Sequence, residues 1–185
     1  MMTFDDSGII ETPVSSERVF DGMALHIDHL KNRLPNGTLA GREVARMVGA
    51  AAVIPVDADG GVYLERQYRV PFDKVLWEIP AGKLNYAGED RLEAAKRELS
   101  EETGLTAEKW THLIDMYTSV GYIDECIGIY MAEGLQAGET HPDEDEFLRV
   151  VKVPLNEAAD MVTRGEIRDS KTVCAILMAK DILKK

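Results

Sequence analysis

The stretch from Gly82 to Leu105 constrains this 185-residue chain more than any other. Its second half predicts a helix. Glu93, Arg97 and Glu101 recur at i, i+4 and i+8, a spacing that sets ion pairs along one side. Leu92, Ala95 and Leu99 recur at helical spacing and give that helix an apolar stripe to bury. Gly104 stands where a left-handed C-cap ends it. Glu98, Glu101 and Glu102 lie at i, i+3 and i+4, so three carboxylates project from one end of one face. Such a cluster repels itself unless something positive sits among its members. Hard divalent cations such as Mg²⁺ take oxygen ligands of this kind. A glutamate-rich helix with interleaved Lys and Arg is otherwise an ordinary solvated face, and the helix alone does not separate the two readings.

The surrounding pattern does. Gly82 stands ahead of the helix, Arg97-Glu98 and Glu101-Glu102 flank Leu99, and Gly104-Leu105 follow. This resembles the signature of the Nudix hydrolases: Gly, a gap, Glu, seven residues, then R-E-x-x-E-E-x-G-x. Glu89, Arg97, Glu98, Glu101, Glu102 and Gly104 fall on it with the right spacing. The gap from Gly82 to Glu89 holds one residue more than the usual box. The addition falls in the loop before the helix, where insertions are tolerated, and should leave the acidic face intact.

The rest of the chain narrows the chemistry. Its length suits one ordinary domain with a small N-terminal appendage. With 45% hydrophobic and 29% charged residues it reads as globular, and no apolar run is long enough to span a membrane. No secretory leader is expected. Thirty-three acidic against twenty-one basic residues give a net charge of −12, which argues against a nucleic-acid surface. The same charge repels an anionic substrate unless cations and placed arginines offset it locally. Cys126 and Cys174 sit in apolar contexts without a ligand pattern and read as buried free thiols of a reducing cytoplasm. There is no G-x-x-x-x-G-K-[ST] phosphate loop, no G-x-G-x-x-G opening a helix, no G-x-S-x-G elbow and no zinc ligand set. What remains is carboxylate plus divalent metal, which suits hydrolysis of a phosphoanhydride. Bound cations neutralise charge on the pyrophosphate and activate a water, which a protein carboxylate positions or deprotonates.

Residues 1–47 predict a small antiparallel sheet with too few large apolar residues for a core of its own. Val19-Phe20 precede Asp21-Gly22, Leu25 and Ile27 alternate with His26 and Asp28, and Pro35-Asn36-Gly37 is a turn. That sheet should pack on the main domain or on a second subunit. His26 and His29 fall on opposite strand faces and make no metal pair. Residues 48–185 are expected to form the main domain. Ala50–Val56 reads as a buried strand with Val62–Tyr68 as its hairpin partner across Asp57-Ala58-Asp59-Gly60-Gly61. Strands are expected over Trp110–Tyr117, Ile123–Met131 and Phe147–Val153, a polar acidic loop over Gly134–Asp145, and helices over Leu155–Thr163 and Ser170–Leu183. Strands with interspersed helices, but no regular βαβ alternation, predict an α/β fold with a mixed sheet between helices.

Flanking segments resemble the ADP-ribose pyrophosphatase and nucleoside-diphosphate-sugar hydrolase branch of the Nudix hydrolases, over about Arg42 to Lys180. The markers are Arg66-Gln67-Tyr68-Arg69, Leu76 through Gly82, Tyr117-Thr118-Ser119 with Gly121 and Glu125, and Asp143 through Phe147. The resemblance implies a Nudix-type α/β/α sandwich and an Mg²⁺ cofactor, with Mn²⁺ as a substitute. It implies metal ligands at Glu98, Glu101, Glu102 and the Ala81 carbonyl, and places Arg69 and Glu78 at the substrate end. It implies a base at Glu146 or Glu144, and a homodimer whose N-terminal strands exchange, which makes Phe20 a candidate for base stacking and Arg46 one for substrate contact. Arg97 is expected to orient Glu101. Plainer readings stand beside these: a surface ion pair for Arg69, a salt bridge for Glu78, a solvated loop for Glu144 and Glu146, and core for Phe20.

Val120 stands where ADP-ribose-specific members carry proline in a Ser-Pro-Gly turn, and it frees the backbone angle that proline fixes. The resemblance therefore implies ADP-ribose with wider acceptance of nucleoside diphosphate sugars, giving a nucleoside monophosphate and a sugar phosphate. Two readings of other classes remain open: a nucleotide-sugar sensor that does not hydrolyse, and a structural dimerisation protein whose glutamates are only surface charge.

Overall fold

The structure is a computed structural model and describes residues 4–138 and 147–184. Its strands and helices run in the order β1 (Thr12–Asp21), β2 (His26–Arg33), β3 (Leu39–Arg46), β4 (Ala50–Pro55), β5 (Gly61–Arg69), β6 (Lys74–Glu78), β7 (Ala81–Lys83), α1 (Arg91–Thr103), β8 (Leu105–Tyr117), β9 (Cys126–Ala137), β10 (Leu148–Pro154), α2 (Leu155–Thr163) and α3 (Ser170–Leu183). The chain divides into two compact units, the first ending at Met47 and joined by Ser119–Glu125, the second comprising the rest.

The first unit is an antiparallel sheet in the order β1-β2-β3. Its strands carry few large apolar side chains, and β1 is exposed along its whole length. Backbone ladders join its strands, and charged pairs tie it to the Ser119–Glu125 segment of the same unit. Arg46 donates to Asp28 at 2.9 Å and to Asp124 at 3.0 Å, and the Met47 amide donates to Asp124 at 2.8 Å.

The second unit is the predicted α/β/α sandwich. A four-stranded mixed sheet runs β7-β4-β9-β8, with β4 and β9 parallel. Strand β4 is buried on both faces, and its side chains alternate between two layers. Ala51 faces Ala94 and Ala95 of α1, and Val53 packs with Leu99. Ala50, Ala52 and Ile54 face the opposite way into the main core, with Ile129, Met131, Ala158 of α2 and Ala175 and Ile176 of α3.

Three features differ from the sequence expectation. β4 and β5 do not form a hairpin. Only Val56 and Val62 bridge across the turn, and β5 leaves for a separate antiparallel sheet ordered β10-β5-β6. The reason is that β7 and β9 occupy both edges of β4. The loop expected from Gly134 begins later, because β9 continues pairing with β8 to Ala137. Cys126 and Cys174 are free thiols, but half-buried rather than buried.

Candidate active site

Helix α1 carries the acidic face. The Asp90 carboxylate caps it by accepting from the amides of Leu92 and Glu93 at 2.8 and 3.1 Å. Gly104 closes it in the left-handed region at φ 69°. Ala94, Ala95 and Leu99 bury its apolar side, while Leu92 is half-buried at the rim. On the flank of that stripe Glu98 and Glu102, one turn apart, are themselves buried, at 7% and 4% exposure. Charged side chains are seldom buried this far without a purpose in binding or pairing.

Both glutamates meet the β6–β7 segment. Glu102 accepts from the Ala81 amide at 2.9 Å, which anchors the Pro80–Ala81 peptide immediately before the carbonyl the resemblance assigns to the metal. Glu98 lies directly over Gly82. A Cβ at Gly82 would stand 2.1 Å from its Oε1 and 2.4 Å from its Oε2, so only glycine leaves the carboxylate room. Arg97 gathers the cluster: one guanidinium nitrogen donates to Glu98 at 2.6 Å and Glu101 at 3.1 Å, the other to the Lys83 carbonyl at 3.1 Å. Burial pushes the Arg97 pKa down, but Glu98 and Glu101 outweigh it and hold the guanidinium charged. Glu93 pairs with Lys96 rather than with Arg97, because Arg97 turns inward. Glu89 stays in the preceding loop, where it accepts from the Asn85 amide.

The oxygen donors here are carboxylates and a carbonyl, which suit a hard divalent cation. Among the described residues no three His, Cys, Asp or Glu side chains gather as a ready-made cage. That is compatible with Mg²⁺, which keeps several waters and is held through one or two carboxylates plus substrate phosphates. Glu98, Glu102 and the Ala81 carbonyl fit such a group. A cavity of about 400 Å³ opens elsewhere, at the N-terminal end of α1 between Arg91, His112, Asp115 and Tyr130, and touches none of these three. The donor chemistry, not the cavity, locates the site.

A second cluster adjoins the segment from its other side. Glu78 is 4% exposed, and its partners are Arg69 and Lys171. Arg69 grips it through Nε at 2.6 Å and Nη2 at 2.9 Å, a bidentate pair. Lys171, also buried, donates from α3 and contacts Asp169 at 3.0 Å. Burial alone would raise the Glu78 pKa, yet Arg69 and Lys171 hold it down to about 2. Sequence reasoning found Arg69 and Glu78 but missed Lys171, Asp169 and Thr172. The one signal was Asp169 ahead of a helix, which reads as an N-cap and nothing more. Glu65 was missed as well. It is 2% exposed and lies directly opposite Glu78 in the β5–β6 ladder.

Other candidates fall elsewhere. Phe20 and Arg46 belong to the N-terminal unit, Phe20 half-exposed on β1 rather than in a core, and Arg46 in its ion pairs. Glu144 and Glu146 lie outside the described residues.

An acidic helical face held against a glycine turn in an α/β/α sandwich suits a hydrolase that works with a divalent cation. The comparisons give the family. A Nudix domain model matches residues 46–176, and the chain belongs to the Nudix family as a Nudix hydrolase with a divalent-metal cofactor. It is similar to an ADP-ribose pyrophosphatase of Bacillus subtilis, 39% identical over 168 residues and 90% of each chain. It is 40% identical, over 90% of each chain, to a protein of Bacillus methanolicus named methanol dehydrogenase activator. A crystal structure described as an ADP compounds hydrolase superposes with a TM-score of 0.82 at 26% identity, covering 94% of both chains. No helix among the described residues is long and apolar enough to cross a membrane.

Proposed function

We propose that this protein hydrolyses the pyrophosphate bond of ADP-ribose and related nucleoside diphosphate sugars, releasing a nucleoside monophosphate and a sugar phosphate. The observation that carries the reading is the pair of buried carboxylates, Glu98 and Glu102, seated on the Ala81-Gly82 turn. Glu98, Glu102, the Ala81 carbonyl and Glu101 would hold Mg²⁺, or Mn²⁺ in its place. When bound, the cation supplies charge neutralisation at the diphosphate and a more acidic water. Arg97 keeps Glu98 and Glu101 aimed at one place. Arg69 and Glu78 form the substrate end, with Arg69 preorganised by its bidentate bond. Glu146 or Glu144 takes the proton of the attacking water. Val120, exposed and free of proline's constraint, supports acceptance of sugars beyond ribose.

The reading extends to the assembly. Residues 1–47 act as a distinct strand region that exchanges across a homodimer in the cytoplasm, and residues 48–185 act as the hydrolase domain. The exposure of Val14, Val19 and Phe20 along β1 supports a covering subunit. Phe20 then stacks on a nucleobase and Arg46 reaches the partner's substrate.

The test is product analysis with ADP-ribose, ADP-glucose, GDP-mannose and UDP-glucose in Mg²⁺, for the wild type and Glu102→Gln. Turnover to monophosphate and sugar phosphate, lost in the variant, is expected. Tight binding of all four without phosphate products would replace hydrolysis with sensing. Mg²⁺ should also raise the Tm by mass action, whereas surface glutamates alone predict no shift.

A further inference from the structure

The chain leaves β6 at Glu78 and reaches the proposed metal face at Ala81-Gly82 through four residues, each of them tethered to the surrounding fold. The Glu78 carboxylate is gripped by Arg69 and Lys171. The Ile79 amide donates to Thr172 Oγ1 at 2.9 Å. The Pro80 carbonyl accepts from the Val53 amide at 2.9 Å. The Ala81 amide donates to Glu102 at 2.9 Å. Two of the four tethers come from the first turn of α3, distant in sequence and outside the signature.

That turn is built for the purpose. Asp169 caps α3 by accepting from the Thr172 amide at 3.1 Å. The same oxygen accepts from Thr172 Oγ1 at 2.6 Å and from Lys171 Nζ at 3.0 Å. With its proton committed to Asp169, the Thr172 hydroxyl presents lone pairs to the Ile79 amide. Thr172 is fully buried and Lys171 is 8% exposed. A cap needs neither of these side chains. An aspartate alone satisfies the first amides of a helix, so the buried lysine and threonine answer to the strand they hold.

We infer that Thr172 and Lys171 are positioning residues, which set the Glu78–Ala81 segment so that the Ala81 carbonyl stands at the metal face beside Glu98 and Glu102. This rests on the metal assignment proposed above. Outer-shell partners of this kind typically change metal affinity or activity by roughly 10–100-fold when removed.

The experiment is Mn²⁺ binding, followed by electron paramagnetic resonance, to the full chain as wild type, Thr172→Val, Thr172→Ser and Lys171→Met, with kcat and KM measured on the same samples. Thr172→Val keeps the shape and removes the acceptor. About tenfold weaker Mn²⁺ binding and a matching fall in kcat are expected, with KM changing little. Thr172→Ser, which keeps the hydroxyl, should return both to within twofold of wild type. A folded Thr172→Val that binds Mn²⁺ as the wild type does would overturn the inference. Should Thr172→Val fail to fold, Lys171→Met decides: threefold or greater weakening supports the inference, and unchanged binding overturns it. A wild type that binds no Mn²⁺ would overturn the metal assignment together with this inference, whereas a wild type that binds, with unaltered variants, overturns this inference alone.

Discussion

Gly82→Ala should separate the stability of this fold from the working of its site. The added Cβ would lie 2.1, 2.2 and 2.4 Å from Oε1, Cδ and Oε2 of Glu98, against about 3.4 Å for ordinary contact. The obstruction is the tip of a side chain rather than backbone, so the carboxylate can swing aside by roughly an ångström. Arg97 is partly exposed and can follow it, keeping the 2.6 Å bond. The fold should therefore lose only about 1 kcal/mol, or roughly 2–4 °C in Tm for a chain of this size. The proposed metal site has no such slack. A metal ligand is defined to within about 0.2 Å, and an ångström of misplacement can lower a rate about 100-fold. Calorimetry, Mn²⁺ titration and initial rates on one preparation give the comparison. The expected result is a modest Tm change with metal binding and kcat reduced by about two orders of magnitude. A well-folded Gly82→Ala with wild-type turnover would refute the placement of Glu98 in the chemistry.

Three further outcomes follow from the same geometry. Glu102→Gln keeps an oxygen for the Ala81 amide but loses the charge, so it should stay folded by circular dichroism while activity falls by at least roughly 10–100-fold; unchanged activity would remove Glu102 from the metal shell. Glu78 is held at about 2 against a usual 4.5, so its contribution is complete above about pH 4.5 and is lost as pH falls toward 2; the shift corresponds to about 3 kcal/mol. In urea unfolding, wild type and Glu78→Gln should differ at pH 7 and converge towards pH 2, and a gap independent of pH would contradict the assigned ion pairs. Asp90→Ala removes a carboxylate that caps two amides, and should lower stability by about 1 kcal/mol in the same assay, with no effect meaning the cap is replaced by water.

What the sequence made legible was whatever short-range rules decide. The C-cap at Gly104 and the buried stripe through Ala95 and Leu99 are contacts within one or two turns, and both stand as read. Helices α2 and α3 also occupy the predicted spans. Strand pairing was less legible because it is settled at a distance. Asp57 through Gly61 do form a turn, but β5 could pair with β4 only if an edge of β4 were open. The same limit governs charges. Glu93 and Arg97 have the spacing of a pair, yet Arg97 has stronger claims on it from Glu98, Glu101 and the Lys83 carbonyl. The need of Glu78 for a partner could be foreseen from its apolar neighbours. Arg69 lies nine residues from it, whereas Lys171 lies 93 away and nothing local announces it.

The placement of the acidic residues bears on why they are there at all. Burying a carboxylate is unfavourable, and a well-packed apolar side chain in its place often stabilises a fold by a few kcal/mol. Ala95 and Leu99 already anchor α1, so folding does not require charge at Glu98 and Glu102. Two such carboxylates one turn apart also repel each other, and the Arg97 guanidinium reaches Glu98 and Glu101. A helix selected for stability alone would not keep this arrangement. Its place beside a glycine with no room for a side chain, and against an amide held by one of the same carboxylates, is what the proposed cation site would require. The site is then a local loss of stability that metal binding recovers through linkage. On that account the fold and the proposed chemistry are coupled through one helix, with α1 supplying core on one side and buried carboxylates on the other.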